Sequence, residues 1–155
     1  MGRHAFRKTI GDVVGERPVP VVGPADPVVT AVNVMRALSV HAVLVADRGT
    51  LVGIFTERDL LERVAAEKRS VTGTFVSEVM TRLPVSLKRD ACITYAINRM
   101  GLEGFSHVPM TGDDGEALGL VDVRDVVAHL DDVFETLDDD DESPIDPDWV
   151  DIGGG

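Results

Sequence analysis

The chain carries the same short pattern twice, and this repetition constrains its fold more than any other feature. Residues 53–59 read Gly-Ile-Phe-Thr-Glu-Arg-Asp, and residues 119–125, which lie 66 positions later, read Gly-Leu-Val-Asp-Val-Arg-Asp. The pair Pro18-Val19 returns as Pro84-Val85 at the same offset. A repeat this long is a whole supersecondary unit and not the short period of a solenoid. The sequence therefore predicts two copies of one unit that together form a single module.

The segments between these markers also agree. Apolar residues at helical spacing in the first copy match apolar residues of the second copy at an offset of 65, and one extra residue in a turn explains the slip. The matched positions are Val28, Ala31, Val32 and Met35 in the first copy and Ile93, Ala96, Ile97 and Met100 in the second. Each copy is therefore expected to contain a strand, a helix, a hairpin and a second helix.

The expected elements follow the chain in the same order in both copies. The first copy is predicted to have a helical turn at 9–14, a strand at 19–22, a helix at 27–38 capped by Asp26, a hairpin at 42–46 and 51–55, and a helix from Glu57. The second copy is predicted to have a turn at 77–80, a strand at 85–87, a helix at 91–102 capped by Asp90, a hairpin at 106–110 and 117–121, and a helix at 123–137. The apolar faces of the four main helices are expected to be buried by packing the copies together about a pseudo-twofold axis. The predicted fold is α/β, with two β-α-β-β-α repeats in one module.

Composition divides the chain into five parts. A basic arm (1–8) precedes the first repeat (9–66), a polar linker (67–74), the second repeat (75–137) and an acidic tail (138–155). The tail begins with four aspartates and is expected to be disordered. Trp149, the only tryptophan, stands there with Val150 and Ile152 and either docks on the body or on a partner or is a single apolar anchor in a solvated tail.

Charge and composition argue against several classes of function. The chain has 27 acidic and 15 basic residues, a net charge of −12, which disfavours binding to nucleic acid or to an anionic membrane surface. No segment has the apolar core of a signal peptide or the ~20 apolar residues of a membrane span, so a cytoplasmic location is expected. The single cysteine, Cys92, cannot form an internal disulfide. The four histidines have no spacing typical of metal ligands, which disfavours a zinc site.

The repeated pattern has two interpretations in its first copy. Thr56 is predicted to cap a helix, with Asp59 at the third helical position. A helix N-terminus exposes backbone N–H groups with the positive end of the helix dipole behind them, which suits a phosphate, and a hydroxyl and a carboxylate nearby can bond a sugar. Thr-x-x-Asp is also a capping box, which stabilises a helix without any ligand.

The order of these motifs resembles the cystathionine-β-synthase (CBS) domain family, in the tandem arrangement called a Bateman module. The resemblance covers residues 9–132 and rests on the Pro-Val segment, the helix and the hairpin in each copy, and on the Gly-h-h-Thr-x-x-Asp corner, where h is apolar and the second copy varies the threonine. It implies that Thr56 and Asp59 hold the phosphate and ribose of an adenosine-containing ligand. It also implies further ligand contacts from Gly53, Ile54, the backbone of Pro20 and Val21, and Ala42 and Val43, which would enclose adenine.

Each of two basic side chains near the first corner has two alternative roles. The resemblance places a basic residue just before the second strand, where His41 stands, and this histidine is either a phosphate contact or a surface residue. Arg58 either supplies positive charge to a phosphate or forms an ion pair on the helix surface.

The second copy departs from the family pattern. Asp125 keeps the carboxylate that the resemblance assigns to ribose, but Asp122 replaces the threonine. A carboxylate at this position accepts the free N–H groups of the helix start and repels an approaching phosphate. We therefore expect one competent nucleotide site, with the second empty, weak or suited to a less anionic adenosyl compound.

The resemblance implies a regulatory module and not an enzyme. Its expected ligand is AMP, ADP or ATP, with S-adenosylmethionine as a further candidate, and no cofactor is required. The module is expected to form a homodimer and to signal occupancy to a separate effector protein. Two alternatives stay open: a protein-interaction scaffold whose pockets have degenerated, and a metal- or redox-responsive regulator that uses the histidines or Cys92.

Overall fold

The computed structural model describes residues 8–140, and their side chains as far as residue 137. Residues 1–7 of the basic arm and residues 141–155 of the acidic tail, with Trp149, lie outside the described residues. In the first half the elements are α1 (Ile10–Val14), β1 (Val21–Val22), α2 (Val28–Leu38), β2 (Ala42–Asp47), β3 (Thr50–Thr56) and α3 (Glu57–Asp59), which continues as a π-helical segment (Leu60–Ala65). In the second half they are α4 (Val76–Val79), β4 (Thr81–Arg82), β5 (Leu87–Lys88), α5 (Ile93–Glu103), β6 (His107–Thr111), β7 (Ala117–Asp122) and α6 (Val123–Asp140).

The strands form two sheets with related topology. One sheet has the order β1-β2-β3-β4 and the other the order β5-β6-β7. β1 pairs in parallel with β2, and β5 with β6, so each of these pairs is joined by a helical crossover, α2 or α5. β2 and β3, like β6 and β7, form antiparallel hairpins. The α/β fold with two β-α-β-β-α repeats is confirmed.

The short helix at the start of each repeat packs into the core of the other repeat. Ile10 and Val14 of α1 are buried in a cluster with residues of α5, β6, β7 and α6. Val76 and Val79 of α4 are buried in a cluster with residues of β1, α2, β2 and β3. The two repeats therefore exchange their first helices, and neither core is complete without a segment of the other repeat.

The same exchange caps the long helix of the first repeat. Asp26 was predicted to cap this helix with Pro27 inside it, and this was wrong: Pro27 occupies the N-cap position and makes no side-chain cap bond. The Asp26 carboxylate instead accepts a hydrogen bond from the Gly23 N–H at 2.7 Å. The free N–H of Val28 donates to the carbonyl of Thr74 at 2.9 Å, so the segment before α4 satisfies the helix start.

The second long helix is capped in the equivalent way. Asp90 was predicted to be its N-cap, but Cys92 holds that position and makes no side-chain cap bond. The N–H of Ile93 donates to the carbonyl of Lys8 at 2.8 Å, so the segment before α1 satisfies this helix. In both repeats a carbonyl from the exchanged segment accepts a bond that a local side chain was expected to accept.

A third apolar cluster joins the two sheets. Ala42, Leu44 and Ile54 of the first sheet are buried against Leu120 of the second. The hairpin turns are also bonded directly, since Leu51 N–H donates to the Gly115 carbonyl at 3.0 Å and Ala117 N–H donates to the Gly49 carbonyl at 2.9 Å. The repeats therefore share one module, as the sequence predicted.

Several element boundaries differ from the predictions, and one strand was not predicted. The first strand of each repeat begins two residues later than predicted, because only the part that reaches β2 or β6 is paired. β4 was not predicted; it pairs with β3 immediately after the exchanged α4. α6 continues to Asp140, three residues into the segment predicted to be an acidic tail.

Candidate functional site

The corner between β3 and α3 is held by a complete capping box. The Thr56 Oγ1 accepts a hydrogen bond from the Asp59 N–H at 3.2 Å, and the Thr56 N–H donates to Asp59 Oδ2 at 3.0 Å. The hydroxyl of Thr56 lies 3.2 Å from the same Oδ2 and donates to it. Side chain and backbone of both residues therefore bond each other, as a capping box requires.

Asp59 has further partners on its second carboxylate oxygen. Thr81 Oγ1 donates to Asp59 Oδ1 at 3.3 Å, and Arg63 Nε lies 3.6 Å from it. Asp59 is only 7% exposed. Asp59 lines neither of the two clefts described below, and a ligand hydroxyl that bonds this carboxylate competes with these contacts.

The second corner, between β7 and α6, is built around two carboxylates. Asp122 Oδ1 accepts from the N–H groups of Arg124 at 2.8 Å and Asp125 at 3.1 Å, as the sequence predicted for a carboxylate at this position. Asp122 Oδ2 accepts from the guanidinium of Arg124 at 3.0 Å. Burial by itself would raise the pKa of Asp122, but the hydrogen bonds from Arg124 and from the two backbone N–H groups outweigh it and lower the pKa below its usual value.

Asp125 is paired with an arginine from the other end of the chain. Arg17 Nη1 donates to Asp125 Oδ1 at 2.8 Å, and Arg17 Nη2 donates to Asp125 Oδ2 at 2.7 Å. Nη2 also donates to the carbonyl of Leu120 at 2.7 Å. The hydrogen bond to Asp125 raises the pKa of the Arg17 guanidinium further above its ordinary value.

A large cleft between the repeats brings the two corners together. It has a volume of ≈ 830 Å³, and Thr56 and Asp122 both line it. Its wall is mostly apolar, with cationic or titratable side chains at several positions. Its other lining residues are His41, Ile54, Glu57, Arg58, Thr81, Arg82, Leu83, Pro84, Val85, Gly104, Phe105, Ser106, His107, Pro109, Val123 and Arg124.

A second cleft lies at the Asp125 corner and is smaller. Its volume is ≈ 400 Å³, and its lining includes Arg17, Pro18, Pro20, Leu120 and Asp125. The Pro-Val segment of the first repeat therefore lies beside the corner of the second repeat. In the larger cleft the arrangement is reversed, because residues 83–85 lie beside the corner of the first repeat.

This crossed arrangement differs from the grouping that the sequence predicted. Pro20 was expected beside Thr56, but it lines the cleft at Asp125. Val21, in β1, lines neither cleft. The reason is the topology: β1 pairs with β2 on the side away from β3, so the chain before β1 passes the neighbouring repeat. Residues 83–85, which correspond to residues 17–19 at the offset of 66, lie where residues 20–21 were predicted.

Only some of the residues predicted to contact adenine line a cleft. Ile54 lines the larger cleft and is 6% exposed. Ala42 and Val43 are fully buried in the two apolar clusters, so they contact other core side chains and not a cleft. A side chain on Gly53 would lie 2.5 Å from the Met80 sulfur, so this glycine serves the close approach of α4 to β3.

The basic residues of the larger cleft differ in their partners. His41 Nδ1 lies 2.7 Å from Glu57 Oε1, and Arg58 Nε donates to Glu62 Oε1 at 3.1 Å on the exposed helix surface. Both His41 and Arg58 still line the cleft. Burial lowers the pKa of His107, although the nearby carboxylate of Asp122 opposes this effect.

Comparison with known proteins identifies the family to which this architecture belongs. The family model described as "CBS domain" matches residues 10–66 and again residues 76–132. The chain belongs to the CBS domain family and contains a tandem pair of these domains, as its sequence indicated.

Individual relatives agree with this assignment. The chain is 33% identical over 122 residues to the Arabidopsis thaliana CBS domain-containing protein CBSCBSPB3, a match that covers 78% of this chain and 22% of that protein. It spans about a fifth of the length of the first such relatives. A crystal structure of the CBS domain protein NE2398 is 31% identical, with a TM-score of 0.71, and the match covers 79% of this chain and 97% of that one.

A structure with a ligand is also similar in fold. The CBS domain protein PAE2072 from Pyrobaculum aerophilum, solved in complex with AMP, has a TM-score of 0.72 at 17% identity, and the match covers 83% of this chain and 99% of that one.

Two other features are absent from the part of the chain that the structure describes. Within residues 8–140, no group of three or more histidine, cysteine, aspartate or glutamate side chains is arranged to hold a metal ion. In the same residues, no helix combines the length and the apolar character needed to cross a membrane.

Proposed function

We propose that the larger cleft binds an adenine nucleotide of the AMP, ADP or ATP class and that the module converts its occupancy into a signal. The observation that carries this proposal is the cleft of ≈ 830 Å³ that joins the Thr56 corner to residues 83–85 of the other repeat. Pockets of this size with mostly apolar walls and a few polar groups are typical of small-molecule sites.

The lining offers contacts that suit the base and the phosphate of a nucleotide. Ile54, Leu83 and Val85 offer apolar contacts to the faces of adenine. Arg58 and Arg82 line the same cleft, and their positive charges favour a phosphate in a chain whose net charge is −12. The AMP complex of a protein with the same fold supports this class of ligand.

The bonds of Asp59 supply a route for the signal. To accept a bond from a ribose hydroxyl, this carboxylate exchanges its contact with Thr81, which begins β4. β4 directly follows α4, the helix that the second repeat contributes to the core of the first. A ligand at Asp59 therefore acts on the segment that links the repeats. We propose that a separate effector protein responds to this change.

The alternative is a protein-interaction scaffold whose clefts hold no ligand. One observation favours it: both corner carboxylates already have internal partners, Thr56 and Thr81 for Asp59, and Arg17 for Asp125. The alternative predicts that the folded protein binds no adenine compound at either corner.

Calorimetry with AMP tests the proposal. The unmodified chain is expected to bind AMP, and Asp59→Ala is expected to lose most of the affinity, about tenfold or more, because the sugar loses a charged acceptor worth about 1.5–3 kcal/mol per bond. Asp12→Ala is the matched control, since Asp12 forms the same kind of capping box with Thr9 outside both clefts. Unchanged binding by Asp59→Ala would move the site away from this corner.

A thermal-shift panel identifies the ligand. AMP, ADP, ATP, S-adenosylmethionine and cyclic di-AMP are compared at equal concentration, because a ligand that binds only the folded state raises the melting temperature. If none of them raises it, the scaffold alternative is favoured.

A further inference from the structure

The corner carboxylate of the smaller cleft is bonded by a side chain of the protein itself. The guanidinium of Arg17 donates to both oxygens of Asp125, at 2.8 and 2.7 Å, and to the Leu120 carbonyl at 2.7 Å. The arginine side chain is 43% exposed and the aspartate side chain 14% exposed, and both residues line the cleft. Asp125 is the residue that corresponds to Asp59 in the repeat.

The equivalent position in the larger cleft has no such group. Arg17 precedes Pro18, and 66 positions later Leu83 precedes Pro84. Leu83 lines the larger cleft and is 84% exposed. Residues 17 and 83 are therefore equivalent in the repeat but differ in effect. Arg17 bonds the corner carboxylate of the smaller cleft, whereas Leu83 leaves the larger cleft open.

We propose that Arg17 occludes the second corner and sets the stoichiometry at one adenosyl ligand per chain. This inference rests on the proposed function, because it takes the Asp125 corner to be a site for the same class of ligand as the Asp59 corner. The uncharged hydroxyls of a ribose compete poorly with a guanidinium for a carboxylate, since bidentate, charge-assisted hydrogen bonds are the stronger kind.

Arg17, and not Asp122, is then the main barrier at this corner. The negative charge of Asp122 is already balanced by the guanidinium of Arg124, which donates at 3.0 Å. The rest of the smaller cleft suits an adenosyl group, because Pro18, Pro20 and Leu120 give it apolar walls. An uncharged nucleoside separates the two explanations, because it feels no phosphate repulsion and still needs Asp125.

The test exchanges the two equivalent residues. Arg17→Leu and Leu83→Arg are compared with the unmodified chain by calorimetry with adenosine and with AMP, and the backbone amide NMR signals of Asp59 and Asp125 report which corner is occupied. Arg17→Lys keeps the charge without the planar fork and serves if the leucine variant does not fold. Arg99→Leu is the matched control, because it removes an arginine from a surface ion pair with Glu103 outside both clefts.

The expected result is a gain at one corner and a loss at the other. Arg17→Leu binds adenosine at Asp125 at least about tenfold more tightly than the unmodified chain, and Arg17→Lys shows a smaller gain. Leu83→Arg binds AMP at Asp59 about tenfold more weakly or worse, and Arg99→Leu changes neither corner.

Three outcomes would overturn the inference. The first is that neither Arg17 variant gains adenosine binding at Asp125. The second is that binding at Asp125 is lost, which would make Arg17 a ligand contact. The third is that Leu83→Arg leaves the AMP affinity unchanged when the unmodified chain binds AMP. Failure of the proposed function is a different result, because it is measured at the Asp59 corner. If AMP does not bind the unmodified chain at Asp59, the adenosine titrations of the Arg17 variants still decide the role of Arg17.

Discussion

The hydroxyl of Thr81 donates a hydrogen bond to Asp59 Oδ1 at 3.3 Å and joins a strand of the second repeat to the corner of the first. Thr81 follows α4, whose Val76 and Val79 complete the core of the first repeat. The local geometry of the corner and the exchange of helices between repeats are therefore connected through one carboxylate. This connection gives a physical basis for coupling a ligand in the cleft to the way the two repeats pack.

Replacement of the threonine cap is expected to reduce stability. Thr56→Ala removes the acceptor for the Asp59 N–H and a donor to its buried carboxylate. We expect the free energy of unfolding to fall by about 1–2 kcal/mol in urea denaturation, the upper part of the range for N-cap residues. Thr56→Ser keeps the hydroxyl and should retain most of the stability. An alanine variant as stable as the unmodified chain would show that the capping box contributes little.

The ion pair between Asp122 and Arg124 predicts how the stability of the protein depends on pH. Because the pKa of Asp122 is lowered in the folded state, this state binds fewer protons than the unfolded state as the pH falls through the usual aspartate value of about 3.9. The stabilisation from Asp122 is therefore present above that value and is lost as the pH falls through the folded-state pKa. Arg124→Gln should lower the free energy of unfolding at neutral pH and have a smaller effect at an acidic pH below the usual aspartate value.

The matched control for this prediction lies in the other repeat. Arg58 corresponds to Arg124 by the offset of 66, but it pairs with Glu62 on the helix surface, where its side chain is 82% exposed. Exposed pairs of this kind contribute little to stability. Arg58→Gln should therefore leave the free energy of unfolding nearly unchanged at both pH values. Equal effects of the two substitutions would contradict the role assigned to Asp122.

The proposed homodimer makes a prediction about α6. This helix buries Val126 and Val133 but exposes a second apolar stripe, in which Val127 is 53%, Phe134 60% and Leu137 39% exposed. Exposed apolar faces of this kind mark association surfaces. Light scattering is expected to give twice the mass of one 16.7 kDa chain for the unmodified protein and for Phe134→Leu, and one chain mass for Phe134→Glu. A monomeric unmodified chain at tens of micromolar would defeat the homodimer proposal.

Local sequence patterns were sufficient to predict the repeated elements. The hairpins and the long helices follow from the spacing of apolar and polar residues along the chain. The capping box of Thr56 and Asp59 depends on two residues that are three positions apart. The repeat itself, with the corners at 53–59 and 119–125, was enough to predict the family and the α/β fold.

The tertiary structure alone decided which segments meet. The exchange of α1 and α4, the capping of Val28 by the Thr74 carbonyl, and the pair of Arg17 with Asp125 all join residues that are far apart in sequence. Such contacts follow from the way preformed elements bury their apolar faces, and no local periodicity records them. For this reason the sequence predicted the corner residues, whereas the structure decided that the Pro-Val segment of each repeat faces the corner of the other.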